Sequence, residues 1–217
     1  MKLPRFSYVY LLSAALLLTA CSQEGTSGTQ NASATNANNS ITAAVPAVEI
    51  SPEPTAGARQ LDVPYVPTPD QVVEEMLAMA QVKGSDILYD LGSGDGRIPI
   101  TAAKKFGTRG VGIDLNPVRV EEAKANAAKA GVTDKVRFME GDIFKADFSE
   151  ATVVTLYLLP NVNLKLKPTI LAMKPGTRVV SHNYDMGDWA PENSKKLTIN
   201  GTDHYVYFWR VPENTKQ

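Results

Sequence analysis

From about residue 61 onward the sequence predicts an α/β fold: a doubly wound, mainly parallel sheet with helices on both faces and an antiparallel hairpin at its C-terminal end. Three observations predict it. Short apolar runs alternate with segments of helical period. A glycine-rich turn, DLGSGDGR at 90–97, follows the first of those runs. Late in the chain two β-rich runs flank Asn200-Gly201. Strands alternating with helices require a parallel sheet covered on both sides.

The first predicted element is a helix. Thr68 stands as its cap, Pro69 suits the first helical position, and Gln71 stands where a capping box takes Glu or Gln. Val72, Val73, Met76, Leu77 and Ala80 then form an apolar stripe ending near Lys83-Gly84. Residues 86–90 form a short strand that runs into the glycine turn, and 98–106 a helix stopped by Gly107. A second strand covers 110–114. Asn116 caps a helix over 117–130 that Gly131 ends.

A third strand follows at 135–139. Residues 151–158 are apolar throughout, as a buried parallel strand should be. The next helix is predicted over 164–173, because Pro168 is tolerable only in a first turn. A fifth strand lies at 178–182, and strands at 196–199 and 204–211 flank the turn Asn200-Gly201-Thr202-Asp203. In such folds ligands bind beyond the carboxyl ends of the strands, where strand order reverses. The glycine turn, Asp114 and Gly141-Asp142 all fall on that rim.

The first sixty residues read differently. Lys2 and Arg5 precede an apolar run over 8–20 that is short for a membrane span. Its end, Leu18-Thr19-Ala20-Cys21, resembles a bacterial lipoprotein signal, and Cys21 is the single cysteine of the chain. That resemblance implies a signal peptide over 1–21, lipidation of Cys21, and membrane attachment through it. By likeness to sorting rules, Ser22 directs the chain to the outer membrane, facing the periplasm. The alternative is an uncleaved anchor that leaves the domain at the cytoplasmic face. Residues 22–60 are small and polar with no apolar period, so they are predicted to be a flexible tether to a domain over 61–217.

Composition narrows the function. The chain has 217 residues, 22 basic and 23 acidic, with a formal net charge of −1. No strongly basic surface is indicated, so no nucleic-acid partner is expected. One cysteine excludes an internal disulfide, and two histidines argue against a multi-histidine metal centre. A monomer is expected.

The glycine turn then selects its ligand. A dinucleotide fingerprint is G-x-G-x-x-G, whereas Gly92-Ser93-Gly94-Asp95-Gly96 is one residue too short. A phosphate loop needs Gly-Lys-Ser/Thr, which is absent. Phosphate favours bare backbone N–H groups, and the carboxylates of Asp90 and Asp95 would repel it. A cationic, phosphate-free cofactor suits the turn better, and S-adenosylmethionine (SAM), with its sulfonium and ammonium groups, is one.

DLGSGDGR resembles the first motif of the class I, seven-strand, Rossmann-like SAM-dependent methyltransferases. The resemblance continues through GVGIDLNP, RFMEGDIF, VTLYLLPN and KPGTRVVSHNYDMGDW, over 62–211. With PYVPTPDQVVEEML it points to the non-SET protein-lysine methyltransferases. It implies that Gly92, Gly94 and Gly96, with Ser93 between them, let the backbone approach the methionine and ribose. Asp90 would face the ammonium group, Asp114 both ribose hydroxyls, and Asp142 the adenine amine, with Ile143 and Phe144 against the ring. Tyr65 and Thr68 would close over the methionine end. Leu156, Tyr157, Leu158 and Pro160 stand where amine methyltransferases often carry an acid or amide before Pro-Pro and an aromatic, and Tyr157 is the candidate catalytic side chain.

Plainer roles stand beside these. Asp95 caps the following helix or touches the cofactor. Tyr157 on a buried strand is core. His182 is a satisfied structural histidine, with a substrate-side role as the alternative. Trp189, Tyr205, Tyr207, Phe208 and Trp209 pack the hairpin, and the pairs Lys104-Lys105 and Lys195-Lys196 are solvated. The implied reaction is N-methylation of a protein lysine, with a small-molecule acceptor also open. Two other functions remain: a non-catalytic envelope lipoprotein that binds SAM or a nucleoside, and an NAD-dependent oxidoreductase.

Overall fold

The computed structural model describes residues 65–213, so the proposed signal, Cys21 and the tether lie outside the described residues. The order of elements is α1 (Asp70–Met79), β1 (Ile87–Leu91), α2 (Arg97–Phe106), β2 (Arg109–Asp114), α3 (Pro117–Ala130), β3 (Val136–Glu140), β4 (Val153–Leu156), α4 (Pro160–Leu171), β5 (Arg178–His182), β6 (Asn193–Ile199) and β7 (Thr202–Arg210). They form one seven-stranded sheet in the order β3-β2-β1-β4-β5-β7-β6. The first five strands are parallel, and the pairs β5–β7 and β7–β6 are antiparallel. Strand order reverses between β1 and β4, which opens the crevice at their carboxyl ends.

Alternation along the strands sends side chains to the two faces of the sheet, where they join three apolar clusters. Leu88, Val153, Val180 and Phe208 pack beneath Val72, Met76 and Leu77 of α1. Tyr89, Leu91, Val154, Leu156, Val179 and Trp209 face Val162, Leu166 and Ile170 of α4. Ile100 and Ala103 of α2 meet Val120, Ala123 and Ala127 of α3 over Phe138. At the opposite end of the sheet from the crevice, Arg178 pairs with buried Asp86 and donates to the carbonyls of Ala80 and Gln81. That link fastens the end of α1 to β5.

Four elements depart from expectation. Thr68 does not cap α1. The N-cap is Pro69, and no side chain closes the first turn. The helix also stops at Met79, short of Lys83, because Gln81 turns left-handed at φ 49°. β4 is four residues long, Val153–Leu156, and α4 begins at Pro160, a residue suited to the first helical position. Pro168 therefore lies inside α4 rather than in its first turn. It is tolerated because Pro168 and Leu164 are both on the solvent face, where water can take the carbonyl that the proline leaves unbonded. The hairpin is longer than expected and turns on two residues, Asn200 and Gly201, at φ 50° and 79°. Positive values at both positions define the tight turn that matches strand twist.

Candidate cofactor site

Beyond the carboxyl ends of β1, β2 and β4 lies an open cleft, where ligands of such sheets bind. Ten of the eleven predicted cofactor residues line it, namely Tyr65, Thr68, Asp90, Gly92, Ser93, Gly94, Asp95, Asp114, Asp142 and Ile143, together with Tyr157. Gly96 does not. It starts α2 with its back to the cleft, and a Cβ there would stand 2.5 Å from the Phe138 ring and 2.9 Å from Ala123. Its freedom of approach serves packing between α2, α3 and β3 rather than a ligand.

The turn is built from backbone conformations open to glycine. Gly92 and Gly94 have φ of 81° and 53°. A Cβ on Gly94 would meet the Tyr65 ring at 2.5 Å, and one on Gly92 would meet Leu158 at 2.6 Å. The turn is held from β2. The amides of Gly92 and Ser93 donate to the carbonyl of Ile113, and the Gly94 amide donates to Asp114 Oδ2 at 2.8 Å. Asp114 Oδ1 accepts from the Asn116 amide at 2.9 Å. The Asp114 carboxylate is thereby fixed at the strand tip, and each oxygen retains a lone pair.

Asp90, next to last in β1, is 3% exposed and accepts a 2.6 Å hydrogen bond from Thr155, its partner in register on β4. Burial pushes its carboxyl up to about 7 against that bond, and the charges of Asp114 and Asp95 push the same way. Such a group asks for a cation. Ser93 Oγ is buried against β2, where a Cβ on Gly112 would stand 2.6 Å from it, and among the described residues it has no hydrogen-bond partner.

Asp95 accepts from the Arg97 amide and from both Nε and Nη2 of Arg97, the last at 2.6 Å. Burial opposes its ionisation, but the Arg97 hydrogen bonds win and hold the carboxyl below its usual range. Arg97 Nη1 donates onward to the carbonyl of Thr68 at 2.8 Å. Tyr65 lies over Gly94 with Arg119 stacked on its ring at 4.2 Å. The segment 65–69 is thus strapped across the glycine turn. Asp142 accepts from the Phe144 amide, which holds its carboxyl low, and Lys165 lies 3.7 Å over the Phe144 ring.

Tyr157 lies just past β4, where the chain leaves the sheet, with its ring 3.8 Å from that of His182. Burial and the nearby Tyr184 raise its phenol above the ordinary value. His182 is fully buried, bonded to Thr68 and His204, and is not in the cleft. Trp209 donates to the Trp189 carbonyl at 2.7 Å, in a ring cluster with Tyr207. Lys105, Lys195 and Lys196, all about half exposed, pair with Glu74, Glu75 and Asp203.

Sequence reasoning missed Arg97 and Arg119. Arg97 closes the quoted motif beside an acid, which was a usable signal. Arg119 sits on α3, 54 residues after the ring it covers, and nothing local marks it.

The residues present fit SAM. Four carboxylates suit a cation-bearing nucleoside, and two glycines at the cleft admit close approach.

The ANTKMT methyltransferase domain model matches residues 90–193. A protein-lysine N-methyltransferase of Saccharolobus islandicus is 49% identical over 154 residues, which is 70% of this chain and 96% of that protein. The mouse adenine nucleotide translocase lysine N-methyltransferase is 35% identical over 61% of this chain, which spans 58% of that protein's length. A crystal structure described as an RNA methyltransferase from Salinibacter ruber with S-adenosyl-L-homocysteine is 54% identical, with a TM-score of 0.65, covering 70% of this chain and 97% of that one.

Proposed function

The chain belongs to the SAM-dependent methyltransferase family that includes these protein-lysine N-methyltransferases, and on that premise we propose that it methylates the side-chain amine of a lysine in a protein. The observation that carries the reading is the wall of the cleft beyond the acids. Val66, Pro67, Tyr157, Leu158 and Val162 line it, apolar or aromatic, with no carboxylate or amide among them.

When bound, SAM would supply a methyl group on its sulfonium: a neutral amine would attack the methyl carbon in line as the S–CH3 bond breaks, S-adenosylhomocysteine would leave, and the methylated ammonium would release its proton to solvent. The residues do the rest. Asp90 would hold the ammonium group, Asp114 the ribose hydroxyls and Asp142 the adenine amine. The strap of Tyr65 to Thr68 shields the cleft from water. A lysine must lose a proton from an amine of pKa about 10.4. A dry apolar wall lowers that value, so no dedicated base is needed. Tyr157, held protonated at neutral pH by its raised phenol, presents a ring and a hydroxyl rather than a base.

The experiment is to incubate the purified chain with methyl-labelled SAM, cell-envelope protein and RNA. Label in methyl-lysine after hydrolysis supports the reading. Label only in RNA favours the chemistry ascribed to the Salinibacter neighbour, which a net charge of −1 and four cleft carboxylates oppose. Label in lipid or small molecules alone overturns the lysine acceptor. SAM binding without transfer supports a non-catalytic binding protein.

We propose also that Cys21 is lipidated and holds the chain on the bacterial envelope. The basic start, the short apolar run and the sole cysteine support this. Metabolic labelling with a tagged fatty acid tests it, and a Cys21→Ser chain that keeps the label overturns it. Protease access in intact spheroplasts distinguishes a periplasmic domain from a cytoplasmic one.

A further inference from the structure

One buried titratable residue behind the cleft has no part in the reading above. His182 ends β5 and is 0% exposed. Its Nδ1 lies 3.1 Å from the Thr68 hydroxyl and its Nε2 lies 2.9 Å from Nδ1 of His204 on β7. Its ring face lies against Tyr157. Thr68 and Tyr157 both line the cleft, so this one ring supports two of its walls from behind.

Burial, with the neighbouring His204, pushes the imidazole down to about 3, so it is neutral at physiological pH. A neutral imidazole has one N–H, and therefore one nitrogen donates and the other accepts. If Nε2 donates to His204, Nδ1 must accept, and the Thr68 proton points away from the cleft. If His204 donates, Nδ1–H donates to Thr68, whose own proton is then free to face the cleft. The tautomer of His182 and the direction of the Thr68 hydroxyl are one choice.

We propose that His182 is a positioning residue for the cofactor: it orients the Thr68 hydroxyl and backs the Tyr157 ring, with His204 selecting its tautomer. This rests on the cleft being the SAM site. Segment 65–69 is otherwise held by Arg97 on a carbonyl and by Tyr65 on the glycine turn, neither of which directs that hydroxyl.

Asparagine places an amide where Nδ1 stands, and glutamine places one where Nε2 stands. His182→Asn keeps a partner for Thr68, whereas His182→Gln keeps only the partner for His204. By calorimetry His182→Asn binds SAM as the wild type does. His182→Gln and Thr68→Val each weaken binding about tenfold, the loss of one buried hydrogen bond, and the double variant loses no more than either alone. Packing alone would lower the melting temperature of both His182 variants and leave their affinities equal. Equal affinity of Asn and Gln, or additive losses, overturns the proposal while wild-type binding shows the site reading intact. A wild type that does not bind SAM overturns the site reading, and this inference with it. The ring ¹⁵N signals of wild-type His182 decide the matter if the variants do not fold: they should show a single neutral tautomer, and a mixture of the two tautomers in the SAM-bound protein overturns the proposal.

Discussion

The backbone amide of Gly94 donates a 2.8 Å hydrogen bond to Oδ2 of Asp114, joining the turn after β1 to the tip of β2. The acid read from sequence as a ribose ligand is also the post that holds the glycine turn. In Asp114→Asn an amide hydrogen would oppose the N–H of either Gly94 or Asn116. SAM affinity is expected to fall about 10²-fold, as two hydrogen bonds to a charged acceptor predict, and the melting temperature to fall with it. Calorimetry and thermal unfolding measure both, and an unchanged affinity would remove Asp114 from the site.

Asp90 and His182 give the cofactor-free protein opposing pH dependences. The folded carboxyl of Asp90 is at about 7 against 3.8 when exposed. The folded state therefore binds more protons, and its stability is full below about 3.8 and lost as pH rises toward 7. His182 is at about 3 against 6.5. The folded state binds fewer protons there, and its stability is full above about 6.5 and lost as pH falls. Between about pH 4 and 6.5 the two slopes oppose. Melting curves across that window should be nearly flat for the wild type, rise with pH in Asp90→Asn, and fall with pH in His182→Asn. Slopes of the same sign in both variants would show that burial does not shift these groups as described.

Cation binding should favour ionised Asp90. SAM affinity is expected to rise with pH through about 7 as the proton is displaced, and buffers of different ionisation enthalpy should reveal that proton by calorimetry. Asp90→Asn removes the dependence and weakens binding, yet melts higher than the wild type at pH 8 without cofactor. A pH-independent affinity in the wild type would refute the Asp90 assignment.

Gly96→Ala is a stability mutation rather than a binding one. It strains a φ of 79° and drives a methyl into Phe138 and Ala123, a cost of about 1–3 kcal/mol. The melting temperature should drop while SAM affinity, measured well below it, changes little. A specific loss of affinity would return Gly96 to the cofactor wall.

Tyr157→Phe separates a wall from a base. General-base catalysis contributes about 10²–10⁴-fold. A phenol that stays protonated supplies less, so kcat toward the lysine acceptor should fall by no more than about tenfold, with the pH profile unmoved. A loss of 10² or more with a displaced alkaline limb would make Tyr157 the base.

The fold was legible because strands and helices carry their period locally. Alternation of apolar runs, Asn116 before Pro117, and Gly107 and Gly131 after their helices needed no partner to be read. The errors arose where a local signal had a distant competitor. Thr68 looked like a helix cap until its hydroxyl met His182, 114 residues away. Pro168 looked like a first-turn proline because the helix was predicted to begin at Leu164, whereas it begins four residues earlier at Pro160. Gly96 shared a motif with Gly92 and Gly94, and only the position of Phe138 shows that it faces the other way.

By itself the sequence determined the α/β class, the acids of the rim and the exclusion of a phosphate cradle, because residue type and spacing carry charge and backbone freedom. The tertiary structure decided what those acids are worth and which side chains stand behind them. Burial and hydrogen bonds set the proton affinity of Asp90, Asp95 and His182, and both depend on strands brought side by side. The strap of Tyr65 and Thr68, clamped by Arg97 and Arg119 and backed by His182, exists only once segments far apart in the chain share one wall.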